Sequence, residues 1–362
     1  MLNRERAELD SLIDQTPHGE TRKSLLRKAW ELSDAEHDYP WQMYYRLEYM
    51  DEVCFHGDCM ESYIIFPEIL KLYDEEIKKR GQEEYESNIL WKYKFLFDNA
   101  PEFYQISIQQ YEKLWQDAKQ RYQKCGYSLR PLYQNRNSFY ENIDSEEAEK
   151  AYQEFEKCPR DSMSDCHACE RGHTVNYLLH KYGLEKAIEY AEPLMNGQLS
   201  CTEQPEAVKG NFLEYYCLGI IEGKKEYVEI AASLCEDVRK SIDKKEVALF
   251  HIPTVLLFYA LAKPRKALNY YKKYCNFMEE NRNPNTKYWF AIAVLRFLKN
   301  LGDKKTYKMI LPSSFALYNE DDIYDVESLR KYYMDAAVDI ALKIDNRNGT
   351  SVYMDRLNRF LQ

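Results

Sequence analysis

Of the ten cysteines and seven histidines of this 362-residue chain, three cysteines and two histidines fall within one sixteen-residue segment. The segment is Cys158-Pro159-Arg160-Asp161-Ser162-Met163-Ser164-Asp165-Cys166-His167-Ala168-Cys169-Glu170-Arg171-Gly172-His173. If a helix begins near Ser164, then Cys166, Cys169 and His173 fall at i, i+3 and i+7 and share one face. Cys158 from the preceding loop, or Cys201 from a later loop, completes a tetrahedral thiolate and imidazole set of the zinc type. Such a zinc is structural, because nothing in the segment suggests an open coordination position. A helix N-terminus also lowers thiol pKa values, which favours metal or redox chemistry. Against this, a single Cys-x-x-Cys has no second pair here, and thiols on an inner helix face are good small core residues. Packing therefore remains the competing reading, and structural zinc is the one cofactor the segment allows.

No other motif carries chemistry. The chain lacks a Walker-type glycine loop, a dinucleotide glycine fingerprint, a nucleophile elbow and a His-Glu-x-x-His. No catalytic residue is assigned, and the expectation is a protein that is not an enzyme. The formal charge of −10, without a basic stripe, argues against nucleic acid as a partner. Basic spots such as Arg22-Lys23 and Arg27-Lys28 alternate with acids and read as solvated helix faces. No run of 18 apolar residues exists, so no membrane span is expected. The N-terminus is charged and has no signal-peptide stretch, which predicts a cytoplasmic location and reduced thiols.

The elements that would position a site repeat along the chain. A turn-like break precedes a helix-forming run at Gly183, Gly223, Lys263 and Gly302, at spacings of 40, 40 and 39 residues. The copies are Tyr182-Gly183-Leu184-Glu185-Lys186-Ala187, Glu222-Gly223-Lys224-Lys225-Glu226-Tyr227, Ala262-Lys263-Pro264-Arg265-Lys266-Ala267 and Leu301-Gly302-Asp303-Lys304-Lys305-Thr306. Gly tolerates the left-handed backbone that closes a helix, and Pro cannot continue one. Each interval holds two helices: Ser164 to Tyr182 with Leu184 to Met195, Glu203 to Ile221 with Lys224 to Lys240, and Lys245 to Ala262 with Arg265 to Glu280. A fixed period of this length marks stacked helical hairpins that bury their apolar faces against neighbours. The predicted fold is all-α, a right-handed superhelical solenoid of antiparallel helix pairs. Its parts are an N-terminal helical region over 1–140, either degenerate repeats or a cap, a repeat core over 141–312, and an acidic linker with capping helices over 313–362. The 32 tyrosines suit half-buried positions in thin layers, and also fit a simple compositional bias.

Laid on this register, the first helices place Arg171, Asn211, His251 and Phe290 at one structural position. Three residues later come Thr174, Glu214, Thr254 and Ala293, and seven later the apolar Leu178, Leu218, Phe258 and Phe297. The last set is core. The polar residues among the first two form a candidate ladder for hydrogen-bonding a peptide: Arg171, Thr174, Asn211, Glu214, His251 and Thr254. A satisfied polar edge is the competing reading, and His251, amid apolar residues, also reads as a core histidine.

Segments such as Tyr182-Gly183-Leu184-Glu185-Lys186-Ala187-Ile188-Glu189-Tyr190-Ala191 resemble the second-helix opening of tetratricopeptide repeats of the bacterial type. The resemblance covers about 140–310. It departs in period, which is nearer 40 than about 34, and in lacking the tryptophan and leucine-glycine signature of the first helix. It implies a superhelix whose concave face, built from first helices, binds a peptide or another protein without catalysis. A second resemblance, in length and repeat, is to the peptide-pheromone receptors of Gram-positive bacteria, which would make the chain an intracellular peptide-signal sensor. Residues 1–70 show no basic helix-turn-helix of the DNA-binding branch of those receptors.

Overall fold

The computed structural model of the chain describes residues 2–82, 84–244 and 246–362, with only the backbone described for 2–4 and 246–248. Among the described residues the fold is all-α, with seventeen α-helices and one two-stranded ladder. No helix among them is long and apolar enough to cross a membrane. The chain forms two compact units. The first takes residues up to Pro101 with Gln109–Asn135 and Phe155–Met163, and the second takes Glu102–Ile108, Arg136–Glu154 and Ser164–Gln362. The division thus does not fall at a single point near residue 140, and residues 313–362 lie in the second unit.

The first unit holds α1 (Leu2–Gln15), α2 (Glu20–Ala35), α3 (Tyr39–His56), α4 (Met60–Leu72), α5 (Tyr85–Asn99), most of α6 (Ile108–Lys124) and the start of α7 (Arg130–Tyr140). Its aromatic runs are core. Tyr45 and Tyr49 of α3 are buried, and their hydroxyls donate to Asp10 and Glu61, each at 2.6 Å. An apolar ring inside with a satisfied hydroxyl at the rim is how tyrosine suits thin layers. The buried Glu52 carboxylate accepts the N–H of Gly19 at 2.6 Å and meets Arg22 Nε at 3.2 Å. A carboxylate at the start of α2 offsets the positive end of that helix and locks it to α3.

The second unit holds α8 (Ser145–Lys157) up to Glu154, then α9 (His167–Tyr182), α10 (Leu184–Met195), α11 (Glu206–Ile221), α12 (Tyr227–Ile242), α13 (Ile252–Ala262), α14 (Pro264–Glu280), α15 (Pro284–Lys299), α16 (Val326–Asn348) and α17 (Val352–Leu361). The expected breaks separate these helices. Gly183, Gly223 and Gly302 have φ of 84°, 95° and 57°, and Pro264 opens α14 behind Lys263. Ala187 and Ala267 are fully buried near the starts of α10 and α14. A side chain that small lets the paired helices approach closely. The helix expected from Lys245 begins later: Lys245 lies outside the described residues, Glu246–His251 form a 3-10 turn, and Pro253 sits in the first turn of α13.

One departure follows Gly302. A helical run is expected there, but β1 (Thr306–Lys308) pairs antiparallel with β2 (Ile323–Asp325), with Tyr307 opposite Tyr324. Leu311-Pro312 blocks helix propagation, and Thr and Tyr favour an extended, half-buried surface. The acidic Asn319–Asp322 stretch forms the turn before β2.

Candidate binding wall and thiol cluster

In the second unit α9 packs on α11, α11 on α13, and α13 on α15, so the first helices of successive pairs stand side by side. The six residues expected to form a ladder have different surroundings. Thr174 and His251 are each only 3% exposed. Arg171 turns to the second helix, donating from Nη1 to the Tyr190 carbonyl at 3.1 Å and stacking 4.4 Å from that ring's centre. Asn211, Glu214 and Thr254 are half-buried and keep access to solvent. His251 packs against α11 instead: a Cβ at Gly210 would lie 2.2 Å from its Nδ1.

The sequence reading missed three charged residues at this wall. Helix α17 returns to pack on α15 and on α11. Its Arg356 lies 5.2 Å from the centre of the Tyr353 ring and 5.6 Å from that of Trp289, with Nη2 3.3 Å from Asn142 Oδ1. His180, in the last turn of α9, meets Glu141 through Nδ1 at 3.4 Å. Burial lifts the Glu214 carboxyl above its ordinary range, while Arg356 and then His180 pull it back. None of these partners is readable from helical periodicity, because each pairing joins distant helices.

His180 is 49% exposed at its side chain, yet its surroundings shift it. Burial disfavours its charge, but the hydrogen bond and charge of Glu141, with the charge of Glu214, outweigh burial and Arg356 and raise its pKa above 6.5. The stability His180 contributes is therefore complete below its unfolded pKa and is lost as pH rises through the folded one. An NMR titration of the ring should give a midpoint above 6.5 that drops in Glu141→Gln. A wild-type midpoint at or below that value would contradict the Glu141 contact.

The second site is the cysteine segment. Cys166, Cys169 and Cys201 have sulfurs all within 4.8 Å of one another. Cys166 is the N-cap of α9, and its sulfur accepts the N–H of Cys169 at 3.4 Å. Cys169 occupies the first turn, with its sulfur 3.5 Å from that of Cys201 and 3.7 Å from Glu203 Oε2. Cys201 comes from the loop before α11, where its sulfur accepts the Gln204 N–H at 3.3 Å. The other two candidates stay outside this group: Cys158 belongs to the first unit, and His173 sits further along α9. The thiols also differ in acidity. Burial works against ionising Cys166, but the Cys169 N–H and the neighbouring thiols outweigh it and lower its pKa. Cys169 is pushed up by burial and then by the Glu203 charge, so the helix N-terminus favours only one thiolate.

Comparison with protein-family models, with curated proteins and with solved structures finds no match.

Proposed function

We infer that the chain is a non-catalytic repeat scaffold, a tetratricopeptide-like right-handed superhelix, which binds a peptide or protein segment along its first helices. The observation that carries this reading is α17 itself. An amphipathic helix already lies on α11 and α15, burying Tyr353, Leu357 and Phe360. Its Arg356 is within electrostatic reach of Glu214. A wall that takes one such helix has the chemistry to take a similar segment with apolar anchors and a cation. Asn211, Glu214 and Thr254 are the half-buried polar groups that would orient it.

Peptides selected from a random library against the full chain test this reading. Asn211→Ala and Glu214→Gln should each weaken the selected peptides by about tenfold, or about 1.4 kcal/mol, with the melting temperature unchanged. Failure to enrich any peptide, or binding as tight as the wild type by both variants, would place the function elsewhere. Loss of stability in parallel with binding would make Asn211 a structural residue.

A further inference from the structure

We propose that Cys166, Cys169 and Cys201 hold one zinc ion, with the Glu203 carboxylate as fourth ligand. The ion acts as a clip between the start of α9 and the loop that leads into α11. This assignment stands apart from the binding role above.

The geometry carries it. A tetrahedral zinc with sulfurs at about 2.3 Å holds them about 3.8 Å apart. The Cys169 and Cys201 sulfurs are 3.5 Å apart, and all three thiols lie within 4.8 Å of one another. That spacing matches sulfurs sharing an ion and is far longer than a disulfide bond of about 2.05 Å. Three thiolates exclude the hard cations and select a soft or borderline metal. Glu203 Oε2 is already 3.7 Å from Cys169 Sγ, and its side chain is exposed, which makes this carboxylate the candidate fourth ligand. The positive end of α9, where Cys166 is the N-cap, offsets the excess negative charge of the ligand set.

The loop that supplies two ligands is held against α9 by packing as well. Gln204 is buried, and a Cβ on Gly172 would fall 2.2 Å from its Nε2. The clip therefore lies across a close junction and fixes α9 against α11, the two helices that bear His180 and Glu214. Binding displaces the thiol protons into solvent, leaving the sulfurs as thiolates on the ion, with no change of oxidation state.

The test loads reduced full-length protein with zinc chloride, removes the excess, and measures metal by mass spectrometry. About one zinc per chain is expected, falling below about 0.1 in Cys169→Ser and Cys201→Ser and unchanged in Cys125→Ser. Glu203→Gln should weaken zinc by about tenfold or more. Unchanged affinity there would remove the carboxylate from the site. Where a serine variant fails to fold, the wild type alone decides. Chelation should lower its melting temperature by about 5–10 °C, and calorimetry in buffers of different ionisation enthalpy should register proton release. Less than about 0.1 zinc per wild-type chain, or serine variants that fold and keep the metal, overturns the assignment.

Discussion

Asp345→Ala should detach α17 from the second unit and cost about 3 kcal/mol of stability. Asp345 is only 5% exposed, at the end of α16, and its carboxylate accepts the N–H groups of Tyr353 at 3.0 Å and Met354 at 2.9 Å. The first turn of a helix has no internal acceptors for such groups. Ser351, the N-cap residue, does not supply one; its hydroxyl donates to Asp355 at 2.7 Å. The capping carboxylate thus comes from six positions upstream, and its charge also meets the positive end of α17. Removing it strands two amides beside a buried apolar face. Asp345→Asn retains one acceptor oxygen and should lose about half as much. Hydrogen exchange of the amides in Val352–Leu361 gives the direct readout, and denaturant unfolding the energy. Unchanged protection across α17 in Asp345→Ala would show that Tyr353, Leu357 and Phe360 hold the helix without this cap. Because α17 covers part of the proposed wall, the same variant should bind selected peptides more tightly than the wild type.

The second large effect is in acid. His251 is buried against Gly210 and Phe250, its Nε2 has no hydrogen-bond partner, and burial lowers its pKa from 6.5 to about 3. The folded chain therefore keeps this ring neutral while the unfolded chain protonates it. As pH falls below 6.5, the unfolded state binds the extra proton and gains on the native state by about 1.4 kcal/mol per pH unit. The loss stops near pH 3, where the native ring also titrates. Glu48, Glu214 and Glu279, each raised chiefly by burial, act with the opposite sign because acid favours their protonated native forms. The decisive quantity is thus the difference in slope between the wild type and His251→Gln. The variant should unfold with a flatter pH dependence over this range, whatever packing it loses beside Gly210. Parallel slopes would mean that water or a polar partner reaches the ring.

Much of the fold was legible because helix boundaries are local. Gly183 and Gly223 take the left-handed backbone expected of them, Pro264 opens a helix, and α10 spans Leu184–Met195 as anticipated. The strand pair after Gly302 was not foreseen, since three residues of β1 mean little until β2 supplies the hydrogen bonds from fifteen positions away. The candidate sites divide in the same manner. Cys166 and Cys169 share the start of one helix, so their spacing alone placed them together. The choice of Cys201 over Cys158 and His173 depended on which loop folds back on α9. Of the polar ladder, the helical register put Asn211, Glu214 and Thr254 on equivalent helices. It could not tell that Arg171 bends to Tyr190 or that His251 is enclosed by Gly210, because rotamer direction and close approach belong to the packed neighbours.

The chain's order of residues, taken alone, determined most of the breaks between helices and which faces are apolar, since both depend on backbone preferences and on a period of about 3.6 residues. The tertiary structure decided what lies against those faces: α17 on α11 and α15, Arg356 near Glu214, and three thiols around one point. Such pairings join segments far apart in the chain, and they form only where the apolar surface buried by the whole unit offsets the entropy of bringing them together.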